Sequence, residues 1–532
     1  MAAFSDGLSG YAGRFWLPTD ENKAAALATL AKLRARTTDT LERRFIDEMR
    51  LALELEELHH PPAAVLNTLV AYAAKEGINE RHLRPLVTAF RSLLAMYTDR
   101  FGKRRWPIEL RVLATNEAAG ARQFVLIIKK AVRDGKLKRE FGRLAADLAA
   151  YREKFGIAKL KKGDFDEVWP ILKKTGGQLN RRTIYPRILR IRYDYPESAA
   201  EIESKALDWL EADLPKFREI VRKLARVYGC KAQPEAVTKS IARHHRVKKS
   251  DVIATTKRLR KLLQPVVESS IVRITPRHKV IVTETPPYLV NVMPTAAMMS
   301  FDVLTKRPFN VIYMTVDPRG SPPEDVTAII DLIMHEEYGH AVNFSNSGTA
   351  FAVKARRIEV VGDSFATPIT EGLSFHREIE GLELLRTVVE KPPSEQSPAE
   401  AALIKELKKY GDPETVAAAY EFGVYKWRLT RFLRAMCDSR VNTGKQSIVQ
   451  FVEWAHDKTG IARKMIYDQN FFFQENPGYA PCYSMAGMAI RDIQAQALAR
   501  GVSLLEFNTY LSSMAFPPRT IFEKRLKERF CG

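Results

Sequence analysis

The sequence predicts a mainly α protein, helical along most of its length, with one small β-sheet in its second half. Three observations lead there. Apolar residues recur three and four apart through most of the first 265 residues and again after residue 325. Between about Val272 and Val316 the texture changes to β-branched and aromatic runs interrupted by proline. The composition, 45% hydrophobic with 27 Gly and 28 Pro in 532 residues, is that of a globular chain and excludes a disordered, collagenous or low-complexity one.

Taken in order, Ala24–Arg36, Leu41–His59, Ala63–Ala74 and Leu83–Tyr97 read as amphipathic helices. Gly156, Gly163 and Gly176-Gly177 mark turns between later ones. In AEIESKALDWLEADLPKFREIVRKLARVYG, the residues Leu210, Leu214, Phe217, Val221 and Leu224 share one face; Gly229 is the expected stop and Pro215 an expected kink or break. KVIVTETPPYLVNVMP and FNVIYMTVDP read as short strands, and Lys391–Pro398 as a surface loop. No repeat of fixed period is present. The change of texture divides the chain into a helical half, 1–265, and a second half, 266–532, that holds the strands.

Charge is uneven. The net +21 is concentrated between Lys103 and Arg192, with 24 basic and 9 acidic residues, and between Lys231 and Leu263, with 10 and 2. Such a distribution suits an electropositive wall beside a cleft, or a polyanion partner. IIKKAVRDGKLKREFGRL and LNRRTIYPRILRIRYDYP interleave basic and aromatic residues, so a basic helical RNA-binding protein is the alternative reading. No apolar run of membrane-spanning length occurs, and neither a membrane partner nor a secretory leader is expected. Cys230, Cys437, Cys482 and Cys531 are far apart and read as reduced thiols of a cytoplasmic protein.

The chemistry is expected in AIIDLIMHEEYGHAVNF. Two histidines and a glutamate on an apolar helix suit a divalent metal: neutral imidazole nitrogens ligate zinc, and a neighbouring carboxylate polarises a bound water. The usual spacing, i and i+4, places two imidazoles about 40° apart around a helix; His335 and His340 are five apart, which is about 140° on a regular helix. They converge only if the helix takes in an extra residue, and Gly339 is where such a distortion is expected to be cheapest. A chance H-E-x-x-x-H is expected roughly once in a hundred such chains. Catalytic zinc takes three protein ligands. Glu371, in PITEGLSFHREIE, is the expected third, with Glu359, Asp363 and Glu378 as competitors; Asp363 or Glu378 would instead steady the ligand histidines.

HEEYGH followed by TEGLSFHRE resembles the gluzincin metallopeptidases, and most closely the family catalogued as domain of unknown function 885. NPGYAPCYSMAGMAIRDIQAQAL, LLEFNTYLSSMAFPPRTIFEKRL and WRLTRFLRAMCDSRVNTGKQSIVQFVEWAHDKTG are similar to the rest of that family's pattern. The chain departs from it by the shorter HExxGH form, as in the dipeptidyl peptidase III family, by Leu373 in place of a Trp and by Asn442 in place of a His. The resemblance implies a large helical zinc peptidase with a deep channel, the residues 1–265 forming one wall. It implies Zn2+ held by His335, His340 and Glu371, Glu336 as general base and Tyr483 as oxyanion donor. Arg491 is expected to receive a substrate carboxylate, and FNVIYMTV to be an edge strand with Tyr313 near the scissile bond. The implied activity is hydrolysis of short peptides; a metal-dependent hydrolase of a non-peptide amide is a further alternative.

Overall fold

The computed structural model describes residues 16–160, 163–177, 179–285, 295–301, 309–316, 323–347 and 366–532, without the side chains of 74–76 and 301. The fold is mainly α, as the sequence predicts, with one three-stranded sheet. It falls into two compact units. The first comprises residues 1–192 with 440–453 and 471–477; the second comprises 193–439, 454–470 and 478–532. The first compact unit thus runs to Arg192 before the chain enters the second. Within the second unit the helix Val252–Ser270 packs against the first strand, a choice made by tertiary packing that local texture does not reveal.

The first unit is built of helices from Asp20 to Arg36, Thr40 to Glu54, His60 to Glu76, Glu80 to Phe101, Ile108 to Ala131, Gly135 to Phe155 and Phe165 to Thr175. Four of these starts are set by side-chain caps: Thr19, Asp39, Asp134 and Asp164 each accept a backbone N–H of the first turn. Gly176, at φ +76°, closes the last of them in the left-handed conformation.

A buried ionic group ties this unit together. Arg181 donates from Nε and Nη2 to the two oxygens of Glu57 (2.6 and 2.5 Å), from Nη1 to Asn442 Oδ1 (2.7 Å) and from Nη2 to the Gln474 carbonyl (2.9 Å). Asn442 thus serves this network. Burial alone pushes the Glu57 carboxyl up, but Arg181 outweighs it and holds the group at about 2. Burial, reinforced by His59, pushes His60 down to about 3. Both folded values lie below the unfolded ones, near 4.5 and 6.5, so in each case the unfolded chain binds more protons and stability falls as pH falls. The melting temperature is expected to drop progressively below pH 6.5, first through His60 and then through Glu57. In His60→Phe the first part of that fall should flatten. A melting temperature constant from pH 7 to pH 5, read by calorimetry, contradicts this.

In the second unit the helix Ala199–Tyr228 begins with a capping box of Ser198 and Glu201 and ends at Gly229, φ +61°. It runs unbroken through Pro215. The expected break is absent because Leu210, Leu214, Phe217, Val221 and Leu224 are all buried along one side, and that burial offsets one lost hydrogen bond. Three strands follow, β1 (Val280–Glu284), β2 (Ala296–Phe301) and β3 (Phe309–Met314), in the order β1-β3-β2. β3 pairs parallel with β1 and antiparallel with β2. FNVIYMTV is therefore the central strand and not an edge. Both its sides are taken by hydrogen-bonded neighbours, so among the described residues the edge strand next to the helix described below is β2, whose sequence AAMMSF lacks the β-branched signature that marks the other two.

Candidate metal centre

The HEEYGH segment lies in one continuous helical stretch from Val326 to Asn346. Asp325 starts it, its Oδ1 accepting the N–H groups of Thr327 (2.9 Å) and Ala328 (3.0 Å). From Ile333 to Ala341 the helix is of π type, and Val342 N–H bonds to the Glu337 carbonyl, five residues back. Widening the turn by one residue brings positions five apart onto the same face. His335 and His340 accordingly meet, their rings 4.9 Å apart and nearly perpendicular.

Gly339 lies within this widened segment and has a second role in packing. Its backbone is not in the left-handed region. A Cβ there would lie 2.5 Å from Ser374 Cα on the helix Ala366–Glu390, so the glycine permits two helices to touch. Gly372 does the same on the other side, where a Cβ would meet Ala486 Cβ at 2.6 Å on the helix Cys482–Ala499. Three helices are thereby held in close contact around Glu371, with a core of Ile369, Leu373, Ile490 and Ile493 beneath it. Gly339→Ala is expected to force the first two helices apart, costing about 1–3 kcal/mol and lowering metal affinity by more than its stability loss explains; a variant that binds metal like the wild type in calorimetric titration would contradict this.

Glu371 Oε2 lies 3.8 Å from His335 Nε2 and 3.9 Å from His340 Nε2. Tetrahedral zinc with bonds near ~2.1 Å spaces its ligand atoms about 3.4 Å apart, so the Glu371 oxygen is within a few tenths of an ångström of that spacing from each imidazole nitrogen. Glu371 Oε2 is buried and has no hydrogen-bond partner, whereas Oε1 accepts from Tyr479 Oη at 2.5 Å. An orphaned carboxylate oxygen aimed between two imidazole nitrogens is what a cation site requires. The residues present fit a divalent ion.

The surrounding bonds orient the three. His335 Nδ1 donates to Glu378 Oε1 (2.7 Å), which leaves Nε2 facing Glu371. Glu378 is gripped by both Nη atoms of Arg431, with Nη2 at 2.5 Å from Oε1. Burial pushes Glu378 up, yet Arg431 and His335 outweigh it and hold the carboxylate ionised. Ser374 Oγ lies 3.0 Å from His340 Nδ1 and bonds to the Thr370 carbonyl at 3.1 Å. Burial, then the neighbouring His335 and Arg431 charges, push His340 well below its ordinary value, so its ring is neutral with a lone pair to give. Burial also pushes His335 down, but Glu378 and Glu336 outweigh it and raise it to about 9; the carboxylates around it favour positive charge at this spot.

Glu336, beside the ligand His335, is buried; burial raises its carboxyl while His335 opposes, and the Met298 N–H of β2 donates to it. Tyr483 is stacked on His335, centroids 6.5 Å apart, and flanked by the guanidinium groups of Arg431 and Arg434 at 5.3 and 5.2 Å from its ring. Arg491 is on the helix Cys482–Ala499 with Tyr483. It lies two turns further along its helix, about 12 Å from Tyr483 by helical rise, and pairs with Glu383 at 3.2 Å on the half-exposed surface. Tyr313 lies on the central strand, opposite Thr283 and Ala297. Glu359 and Asp363 fall outside the described residues. Tyr479, Ser374, Arg431 and Arg434 are the site's unforeseen members. The signal for the arginines was present as three cations three apart in WRLTRFLRAM, Arg428, Arg431 and Arg434, within an otherwise aromatic and apolar run.

Among the described residues a second set, Glu57, His59 and His60, also brings ligand atoms together. Its groups are committed elsewhere: Arg181 holds both Glu57 oxygens, His60 Nδ1 accepts the Glu57 N–H at 3.1 Å, and His59 Nε2 bonds to the Glu475 carbonyl at 3.0 Å.

Two solved structures share the fold. A candidate lipoprotein of unknown function from Shewanella oneidensis is 15% identical with a TM-score of 0.63, and the match covers 99% of this chain and 96% of that one. A candidate lipoprotein from Colwellia psychrerythraea is 13% identical with a TM-score of 0.61, over 99% and 96% of the two chains. No family model matches the chain. No curated protein matches it either. Identities this low carry the fold alone. No described helix is long and apolar enough to cross a membrane.

Proposed function

We propose that the protein is a zinc metallopeptidase of the gluzincin type that hydrolyses short peptides in the cytoplasm, its four cysteines free thiols. The observation that carries this reading is the convergence of His335, His340 and the unpartnered Oε2 of Glu371 on one point, with Glu336 beside them. The resemblance of HEEYGH and TEGLSF to the domain of unknown function 885 family supports it.

His335, His340 and Glu371 would hold the ion. A bound zinc supplies Lewis-acid polarisation of a carbonyl and lowers the pKa of a coordinated water. Glu336 takes the proton of the attacking water and passes it to the leaving amine, a task suited to a buried carboxylate whose affinity for protons is raised. Met298 N–H steadies that carboxylate and lies on β2, whose outer edge is where an extended peptide adds as a further strand. Tyr483, its ring held between two guanidinium groups and the His335 imidazole, donates its hydroxyl to the oxyanion. Burial raises this phenol well above its ordinary value, so it remains a proton donor at any working pH. Tyr483→Phe is expected to lower kcat by about 10²–10³-fold with KM little changed. An unchanged kcat assigns the oxyanion to another donor.

The test of the activity is a mixed-peptide digest read by mass spectrometry, with the zinc-loaded and the chelator-treated enzyme side by side. Cleavage that needs zinc, and products that reveal single residues, dipeptides or internal cuts, are expected. No cleavage by protein shown to hold one zinc per chain would sink the peptidase reading.

A further inference from the structure

The first unit carries a charged surface that peptide hydrolysis does not explain. The helices Ile108–Ala131 and Gly135–Phe155 form a hairpin that turns at residues 132–134. The turn at 77–79 lies against it, because the Glu80 carboxylate accepts the N–H groups of Arg133 and, at 3.2 Å, Asp134. Arg81, Lys130, Arg133, Lys136 and Arg139 are exposed at this end. Among the described side chains none of the five has an acidic partner, and the described acids nearby are already engaged. Glu80 caps those two N–H groups. Asp134 caps the second helix through Leu137 N–H (2.6 Å) and pairs with Arg84 at 3.2 Å, and Glu140 pairs with Arg91 and Arg143.

The placement works against local stability. The helix Gly135–Phe155 has no acid in its first turn and carries Lys136 and Lys138 there instead, at the positive end of its dipole. Beside these cations Ile78 is 39% exposed, one of few large apolar side chains on the described surface. Among the described residues no large aromatic side chain is exposed at this end: Phe141 is buried. Single-stranded nucleic acid is held by cations together with exposed aromatic platforms, and an exposed aliphatic side chain does nothing for a phosphodiester chain. A bilayer uses both features. Its anionic headgroups attract lysine and arginine, and its interface accepts a shallow apolar group.

We propose that this end of the first unit is a docking surface for anionic phospholipid membranes, its cations meeting lipid phosphates and Ile78 entering the headgroup layer. The test is co-sedimentation of the full chain with vesicles of phosphatidylglycerol and phosphatidylcholine in equal parts, against vesicles of phosphatidylcholine alone. Binding to the anionic vesicles only, released by raised salt, is expected. Each neutralised cation should weaken partitioning about fivefold, so Lys130→Glu/Arg133→Glu/Lys136→Glu should weaken it about a hundredfold or more, and Ile78→Ser severalfold at constant charge. Unchanged melting temperatures show that the variants are folded. Equal binding to both vesicle types, or binding unaffected by the triple change, overturns the proposal. So does an oligouridine that strips the protein from vesicles and binds Ile78→Ser as tightly as the wild type; the surface would then belong to nucleic acid. These outcomes are independent of peptide cleavage.

Discussion

Glu336→Gln is expected to lose about 10²–10⁴-fold in kcat/KM on short peptides while still binding one zinc per chain. The separation follows from its position. Glu336 adjoins the ligand His335 but is not one of the converging donors; its own contact is the Met298 N–H of β2. Glutamine keeps the size and one acceptor oxygen for that N–H and loses the ability to take up a proton. The ligand set His335, His340 and Glu371 is untouched, so zinc titration should return the wild-type stoichiometry. Comparable loss of zinc and of activity would mean that Glu336 ligates the metal, and full activity would mean that the base lies elsewhere.

Arg431→Met should have the second large effect, on stability and on metal affinity together. Arg431 and Glu378 are both buried, and Glu378 accepts from Arg431 and from His335. Removing one partner of a buried pair leaves the other charge uncompensated, at a cost of about 3–5 kcal/mol. Glu378 would then take up a proton, lose its hold on His335 Nδ1, and weaken zinc binding by about 10–100-fold. The double variant Arg431→Met/Glu378→Gln separates the two effects. It leaves neither member of the pair as an unpaired charge, so stability should largely return, while zinc affinity should stay low because the carboxylate that orients His335 is gone. Recovery of both would reduce the pair to a structural one.

The helical architecture is legible because apolar spacing and turn residues act locally. Leu210 to Leu224 buries the face its spacing indicates, and Gly229 stops the helix where expected. The five-residue spacing of His335 and His340 also carried its own consequence, since two imidazoles on one metal demand a widened turn, and the π segment Ile333–Ala341 supplies it. What depends on packing between distant segments was not legible. Pro215 reads as a break because its local chemistry ignores the buried face around it. Gly339 reads as backbone freedom because Ser374, 35 positions away, is invisible from its neighbours. Strand order is of the same kind: nothing local in FNVIYMTV says that AAMMSF will cover its other side.

The central claim is that His335, His340 and Glu371 share one divalent ion. Diffraction data collected on either side of the zinc absorption edge, from crystals of the zinc-loaded protein, test it directly. A single anomalous peak between His335 Nε2, His340 Nε2 and Glu371 Oε2, absent in His340→Ala, is the expected result. A protein that takes up zinc with no peak at that point, or a peak unaffected by His340→Ala, would contradict it.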